Sequence, residues 1–138
     1  MQVPMQMATM PALKVLFSVI DETFVDRIND YIDENRSSLN DHSDQLVGQI
    51  KQDSHSAQLQ FNMNDQLPKD LGLLLMTTAE HYAKQHNITS KSMDISSMWS
   101  IHSYAGDYNP IHEHGTSGLG VSCILFLKVP PQIRGTES

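Results

Sequence analysis

The stretch LGVSCILFLKV, residues 119–129, constrains the fold more than any other part of the chain. Its apolar residues fall on both parities of the run, so an extended strand here presents apolar surface on two faces. Such a strand needs a covering layer on each side and belongs in the middle of a sheet or sandwich. Cys123, the only cysteine, lies within it and reads as a buried small hydrophobe. A single cysteine also excludes an internal disulfide and any zinc site built on two thiolates.

The segments upstream carry two different periods. Residues 12–20, ALKVLFSVI, are apolar and β-branched and predict a first strand. The apolar content of MPALKVLFSVI has a faint look of a signal segment, but it has no cationic start and no small-residue cleavage site. In ETFVDRINDYIDENR the residues Phe24, Ile28, Tyr31 and Ile32 recur at three- and four-residue spacing, with Asp21 placed as N-cap; this predicts an amphipathic helix with a solvated acidic face. Residues 37–56 are polar and read as loop, with a short strand near Leu46–Ile50. AQLQFNM alternates, with Ala57, Leu59, Phe61 and Met63 on one side and Gln58, Gln60 and Asn62 on the other, as a half-buried strand does. Asp65 then caps a second helix running to about Gln85, with Pro68 in its first turn and Leu67, Leu71, Leu74, Leu75, Ala79 and Tyr82 as its buried stripe. His81 and His86 read as charge at the end of that helix. From Met93 the pattern is β: MDISSMWSIHSYA sets Ile95, Trp99 and Ile101 on one face against Met98, Ser100, His102 and Tyr104 on the other.

Helices first and strands after predict an α+β fold with a jelly-roll, or β-sandwich, core. With 138 residues, the chain suits a single domain over 11–138, preceded by a disordered tail at 1–10, MQVPMQMATM. A net charge of −7 argues against nucleic acid as a partner. Lysines and arginines do not cluster, and no run approaches the ~20 apolar residues of a membrane helix. The expected setting is cytoplasmic, with no membrane and no nucleic acid.

The chemistry concentrates in YAGDYNPIHEHG, residues 104–115. In an extended segment His112 and His114 leave the same face, with Cα atoms ~6.6 Å apart. Two imidazoles so placed converge on one metal at ~2.0–2.1 Å. Spacing alone is weak support, since the seven histidines of this composition produce about a third of such a pair by chance. The setting adds to it: a tyrosine-bearing strand, a glycine and a proline lead in, and an apolar strand follows, as at the mouth of a ligand-binding barrel.

With those residues in view, MWSIHSYAGDYNPIHEHGTSGLGVSCILFLKVP resembles the Fe(II)/2-oxoglutarate-dependent dioxygenases, especially a small branch from marine bacteria and cyanophages, and more distantly the prolyl 4-hydroxylase group. The resemblance implies a double-stranded β-helix (jelly-roll) core with N-terminal supporting helices, an iron site and 2-oxoglutarate as co-substrate. It makes His112 the first iron ligand and places His114 where the family carries a carboxylate. Tyr104 corresponds to the tyrosine that hydrogen-bonds 2-oxoglutarate, and Tyr108 to an aromatic on the substrate side. Neither the distal histidine nor the downstream basic residue that holds the far carboxylate is present after His114, where the basic residues are Lys128 and Arg134. The chain therefore reads as the N-terminal part of a jelly-roll oxygenase, incomplete at its C-terminus and inactive alone; His102 is a substitute candidate for the third ligand. The expected reaction is hydroxylation of a protein side chain or a small molecule, with homodimer formation left open.

Two other readings keep a similar architecture. A cupin motif opens in the same way, but its carboxylate ligand is missing, Gly118 and Leu119 standing there. A non-catalytic jelly-roll binding domain keeps the fold without the reaction.

Overall fold

The structure, a computed structural model, describes residues 5–10, 13–43, 55, 57–89, 92–108, 110 and 120–131. Its order is β1 (Met5–Met10), β2 (Leu13–Ser18), α1 (Glu22–Asn35), β3 (Ala57–Gln60), α2 (Gln66–Gln85) and β4 (Trp99–His102). The fold is α+β: β1 pairs antiparallel with β2, and β3 antiparallel with β4. The chain divides into two compact units, 1–34 with 124–138, and 35–123, where the sequence suggested one domain over 11–138.

In the first unit, the stretch expected as a disordered tail carries β1, in register with β2 from Met5↔Ser18 to Met10↔Leu13. Helix α1 begins as the sequence predicts. The Asp21 carboxylate accepts the Thr23 N–H at 3.0 Å, the Phe24 N–H at 3.4 Å and the Thr23 hydroxyl, satisfying donors that the first turn leaves open. Ile28 and Ile32, one turn apart, are its buried residues. Lys128 meets Asp33 at 3.2 Å, but both side chains are well exposed, so the pair contributes little.

The second unit is built around β3. The segment 40–43 lies along one edge of this strand: His42 N–H donates to the Gln58 carbonyl and Gln60 N–H to the Asn40 carbonyl, both at 2.9 Å. Strand β4 takes the other edge, in register Ala57↔His102 through Gln60↔Trp99, and Phe61 N–H extends the pairing to the Met98 carbonyl at 3.0 Å. The alternation read from the sequence holds for Ala57, Leu59 and Phe61, all buried. Gln58 departs from it and is also buried, and its N–H is held by the 40–43 segment, reaching the Asp41 carboxylate at 3.2 Å and the Ser43 hydroxyl at 3.0 Å. The expected strand near Leu46–Ile50 lies outside the described residues.

Helix α2 starts after Asp65, whose carbonyl takes the Lys69 N–H. The Asp65 side chain makes no capping bond; it accepts the Asn62 amide at 3.1 Å instead. The buried stripe is Pro68, Leu71, Gly72, Ala79 and Ala83, at three-, four- and seven-residue spacing. Gly72 was not anticipated. A β-carbon there would stand 2.8 Å from Ile95 Cδ1 and 3.3 Å from Met63 Cε, so the absence of a side chain is what lets these two residues close on the helix. The helix ends in a Schellman motif: Ile88 N–H returns to the Ala83 carbonyl at 2.9 Å and Asn87 N–H to the Lys84 carbonyl at 3.1 Å. Asn87 takes the left-handed position, with φ 55°. His86, expected as helix-end charge, is the C-cap residue; its ring lies 4.3 Å from that of Tyr82, and its Nε2 is buried without a hydrogen-bond partner.

The largest departure concerns residues 120–131. Expected as a central strand covered on both faces, they form no strand among the described residues. Burial still alternates, with Leu125, Leu127 and Val129 half-buried, but Ile124 and Phe126 are 81% and 75% exposed. Cys123, expected to be buried, is exposed as well. The partial burial that its thiol retains pushes the pKa up, away from thiolate formation. Without sheet neighbours among the described residues, two-sided apolarity does not bring two-sided burial.

Two outcomes follow. Replacing Asn87 by Ala should destabilise the protein by about 1–2 kcal/mol, because an L-residue with an ordinary β-carbon resists the left-handed region, whereas Asn87→Gly should not; chemical denaturation of the three proteins checks this. The Thr23 hydroxyl bond, with help from the Phe24 and Thr23 N–H groups, holds the Asp21 carboxyl below its usual 3.8. The cap therefore stabilises above the unfolded carboxyl pKa, and its contribution is lost as pH falls through the folded one. Asp21→Asn, which caps without titrating, should show a shallower acid limb of α1 helicity by circular dichroism.

Candidate functional site

The β3–β4 pair positions the described part of the candidate site. On one face the register sets Ala57 beside His102 and Leu59 beside Ser100. Ser100 is buried and His102 is half-buried, whereas Ile101, on the opposite face, is exposed. The two-residue alternation that put Ser100 and His102 together is thus realised, and it is the polar face of β4 that turns inward. Trp99, on the face shared with Ile101, is half-buried.

His102 is held at both ring nitrogens. Arg36 Nη1 lies 3.1 Å from Nδ1, and Ser100 Oγ lies 3.0 Å from Nε2. A guanidinium has only donors, so Nδ1 must be the acceptor, the proton sits on Nε2, and Ser100 Oγ accepts it. This is a neutral histidine in a defined tautomer, with neither nitrogen lone pair turned to an open position. As a third metal ligand, the role the sequence left open for it, His102 would have to surrender Arg36. The second nitrogen of the same guanidinium, Nη2, donates to the His55 carbonyl, two residues before β3.

Strand β4 ends at His102, so Tyr104, expected within the strand, lies two residues beyond it in a turn. Asp107 N–H donates to the Tyr104 carbonyl at 3.0 Å, and Tyr104 N–H donates to the Asp107 carboxylate at 2.8 Å. Gly106 sits at the third position of this turn with φ 93°, the conformation a type II turn requires and an L-residue resists. The turn commits the backbone of Tyr104 and leaves its side chain outward. The ring is 45% exposed and lies 6.1 Å from that of His55. Tyr108 is 55% exposed. Both phenols are therefore available to a ligand, and neither fills the core.

His112 and His114, the metal ligands that the sequence suggested, lie outside the described residues. Among the described residues no three His, Cys, Asp or Glu side chains gather as a metal site. No described helix is long and apolar enough to cross a membrane. Comparison with family models, with curated proteins and with solved structures finds no match.

The feature missed by sequence reasoning is Arg36. It follows α1 with no motif around it, and it meets His102 only because β3 and β4 pair in this register. The Ser100–His102 half of the cluster was readable from strand alternation.

The turn makes a direct prediction. Gly106→Ala should cost about 1–2 kcal/mol, because an added β-carbon must be carried at positive φ. Denaturant titration measures that cost, and loss of protection at the Asp107 amide would locate it in the turn.

Proposed function

We propose that this chain carries part of the active site of an Fe(II)- and 2-oxoglutarate-dependent oxygenase with a jelly-roll core, acting in the cytoplasm on a protein side chain or a small molecule. The observation that carries the reading is the outward phenol of Tyr104, presented by a Gly106 turn immediately before the Asp-Tyr-Asn-Pro-Ile-His-Glu-His run. A phenol there is suited to donate a hydrogen bond to a carboxylate oxygen of 2-oxoglutarate. The donor chemistry suits a ferrous ion as well, since neutral imidazoles bind iron and His112 and His114 sit at the spacing that lets two of them share it.

In this reading His112 and His114 hold Fe(II), Tyr104 orients 2-oxoglutarate and Tyr108 lines the substrate side. Bound there, the iron and 2-oxoglutarate would activate dioxygen for C–H hydroxylation, one oxygen atom going to the substrate and the other into succinate as CO₂ is released. The chain's own share is binding, orientation and exclusion of water. With His114 in place of a carboxylate, the ligand set leaves the metal one unit more positive than the family's arrangement would. That favours binding of an anionic co-substrate.

One observation favours a second reading, a non-catalytic binding domain of the same architecture: the described histidine nearest the motif, His102, has both nitrogens engaged and supplies no further ligand.

Mn(II), a redox-silent surrogate, separates the two readings. Under the oxygenase reading, electron paramagnetic resonance titration should show Mn(II) binding that His112→Ala and His114→Ala each weaken by at least about tenfold, since even outer-shell partners are worth that much. Tyr104→Phe should leave Mn(II) affinity unchanged and weaken 2-oxoglutarate by about tenfold or more, the value of one hydrogen bond to a charged group. Binding of 2-oxoglutarate that ignores the metal would sink the oxygenase reading and leave the binding domain.

A further inference from the structure

We propose that Arg36 is a positioning residue for Tyr104, setting the direction of the phenol through His102 and His55. The inference rests on the reading of Tyr104 as the group that orients 2-oxoglutarate, and it adds a residue to that same site.

Arg36 reaches Tyr104 by two routes. Along the chain, Nη1 lies 3.1 Å from Nδ1 of His102, two residues before Tyr104, and so anchors the strand end from which the Gly106 turn departs. Through space, Nη2 donates to the His55 carbonyl, and the His55 ring lies 6.1 Å from the Tyr104 ring at an interplanar angle of 58°. That separation and tilt fall in the range where two π-rings attract. One guanidinium therefore holds both the main chain that carries the phenol and the residue whose ring stands against it.

The turn by itself does not fix the phenol. Its two hydrogen bonds engage the N–H and the carbonyl of Tyr104, which sets the backbone and leaves χ1 with its staggered wells. Tyr104 is 45% exposed and His55 is exposed as well, so burial does not select one well. Among the described residues, the ring beside Tyr104 is that of His55. A phenol already aimed at its ligand spares binding the cost of ordering one side chain, a factor of about three to ten in affinity.

The task suits an arginine. A planar guanidinium offers two nitrogens to two acceptors at once, whereas a lysine ammonium is a point donor on a flexible stem. Arg36→Lys keeps the charge and gives up one of the two arms. Arg36 acts through His102 and His55 and not on the ligand.

The test reads the orientation of the phenol and its consequence separately. In the free wild-type chain, three-bond couplings should report one dominant χ1 rotamer of Tyr104, with nuclear Overhauser contacts to the His55 ring. The Arg36 Nη groups should give separate, slowly rotating signals. Arg36→Lys and His55→Ala should each average the rotamer, whereas His55→Phe, which restores a ring, should keep it. With Mn(II) bound, Arg36→Lys and His55→Ala should weaken 2-oxoglutarate about three- to tenfold and leave Mn(II) affinity unchanged. In a Tyr104→Phe background Arg36→Lys should add no further loss, because the group it aims is gone. A merely structural role would weaken metal and co-substrate together, in either background. An averaged Tyr104 rotamer or a freely rotating Arg36 guanidinium in the wild type would overturn the proposal, even if Arg36→Lys failed to fold. So would variants that kept the wild-type rotamer, or an undiminished Arg36→Lys loss in the Tyr104→Phe background. A wild-type chain that bound no 2-oxoglutarate would sink the oxygenase reading, while the rotamer still decided whether Arg36 sets Tyr104.

Discussion

Strand β3 is buried on both faces, and that single constraint organises the second unit. Ala57, Gln58 and Leu59 are all shielded from water, so every main-chain donor and acceptor along them must find a partner inside the protein. The chain meets this requirement from two directions. The 40–43 segment satisfies one edge, with the Asp41 carboxylate and Ser43 hydroxyl both turned to the Gln58 N–H, and β4 satisfies the other. A buried amide left without a partner costs about 1–3 kcal/mol, so the polar residues of that segment are as structural as the leucines. The same edge pairing sets the register that carries His102 to Arg36.

The site inherits its form from this register. Strand β4 is short, and its end is defined by His102, after which the chain turns at Gly106 and releases two tyrosines outward. Two kinds of aromatic and imidazole chemistry are thereby separated within a few residues. His102 is locked, neutral and turned toward the protein. Tyr104 and Tyr108 are exposed and free to meet a ligand. The segregation explains why counting histidines in the sequence could not tell which of them serve chemistry and which serve packing. His102 and His86 illustrate the second role: one is held between an arginine and a serine, the other stacked on Tyr82 at a helix cap.

Much of the local structure was legible from residue order. Asp21 followed by an apolar three–four repeat specified the start and the buried face of α1, and the alternation in AQLQFNM specified Ala57, Leu59 and Phe61 as inward, while Met63, expected with them, is exposed beyond the end of β3. Both depend on interactions between near neighbours, which composition and spacing report directly. Gln58 was misassigned because a segment seventeen positions away lies along its edge of β3, a contact that alternation does not report. Gly72 was overlooked because its role is to be small opposite Ile95 and Met63, a fact of packing. Tyr104 read as a strand residue because alternation continues past the point where pairing stops. The His-x-His pair was legible as a motif, and its chemistry rests on the titrations proposed above.

The sequence by itself determined the helix boundaries, the two-residue period of the strands and the placement of chemically capable side chains just before Gly115. These are short-range properties, set by caps, periodicity and turn residues. Tertiary structure alone decided that Arg36 closes on His102, that β3 is central, and that residues 120–131 keep an alternating pattern without sheet neighbours among the described residues. Hydrophobicity tells a segment that it gains by burial; only the pairing of distant backbone groups decides where that burial is available.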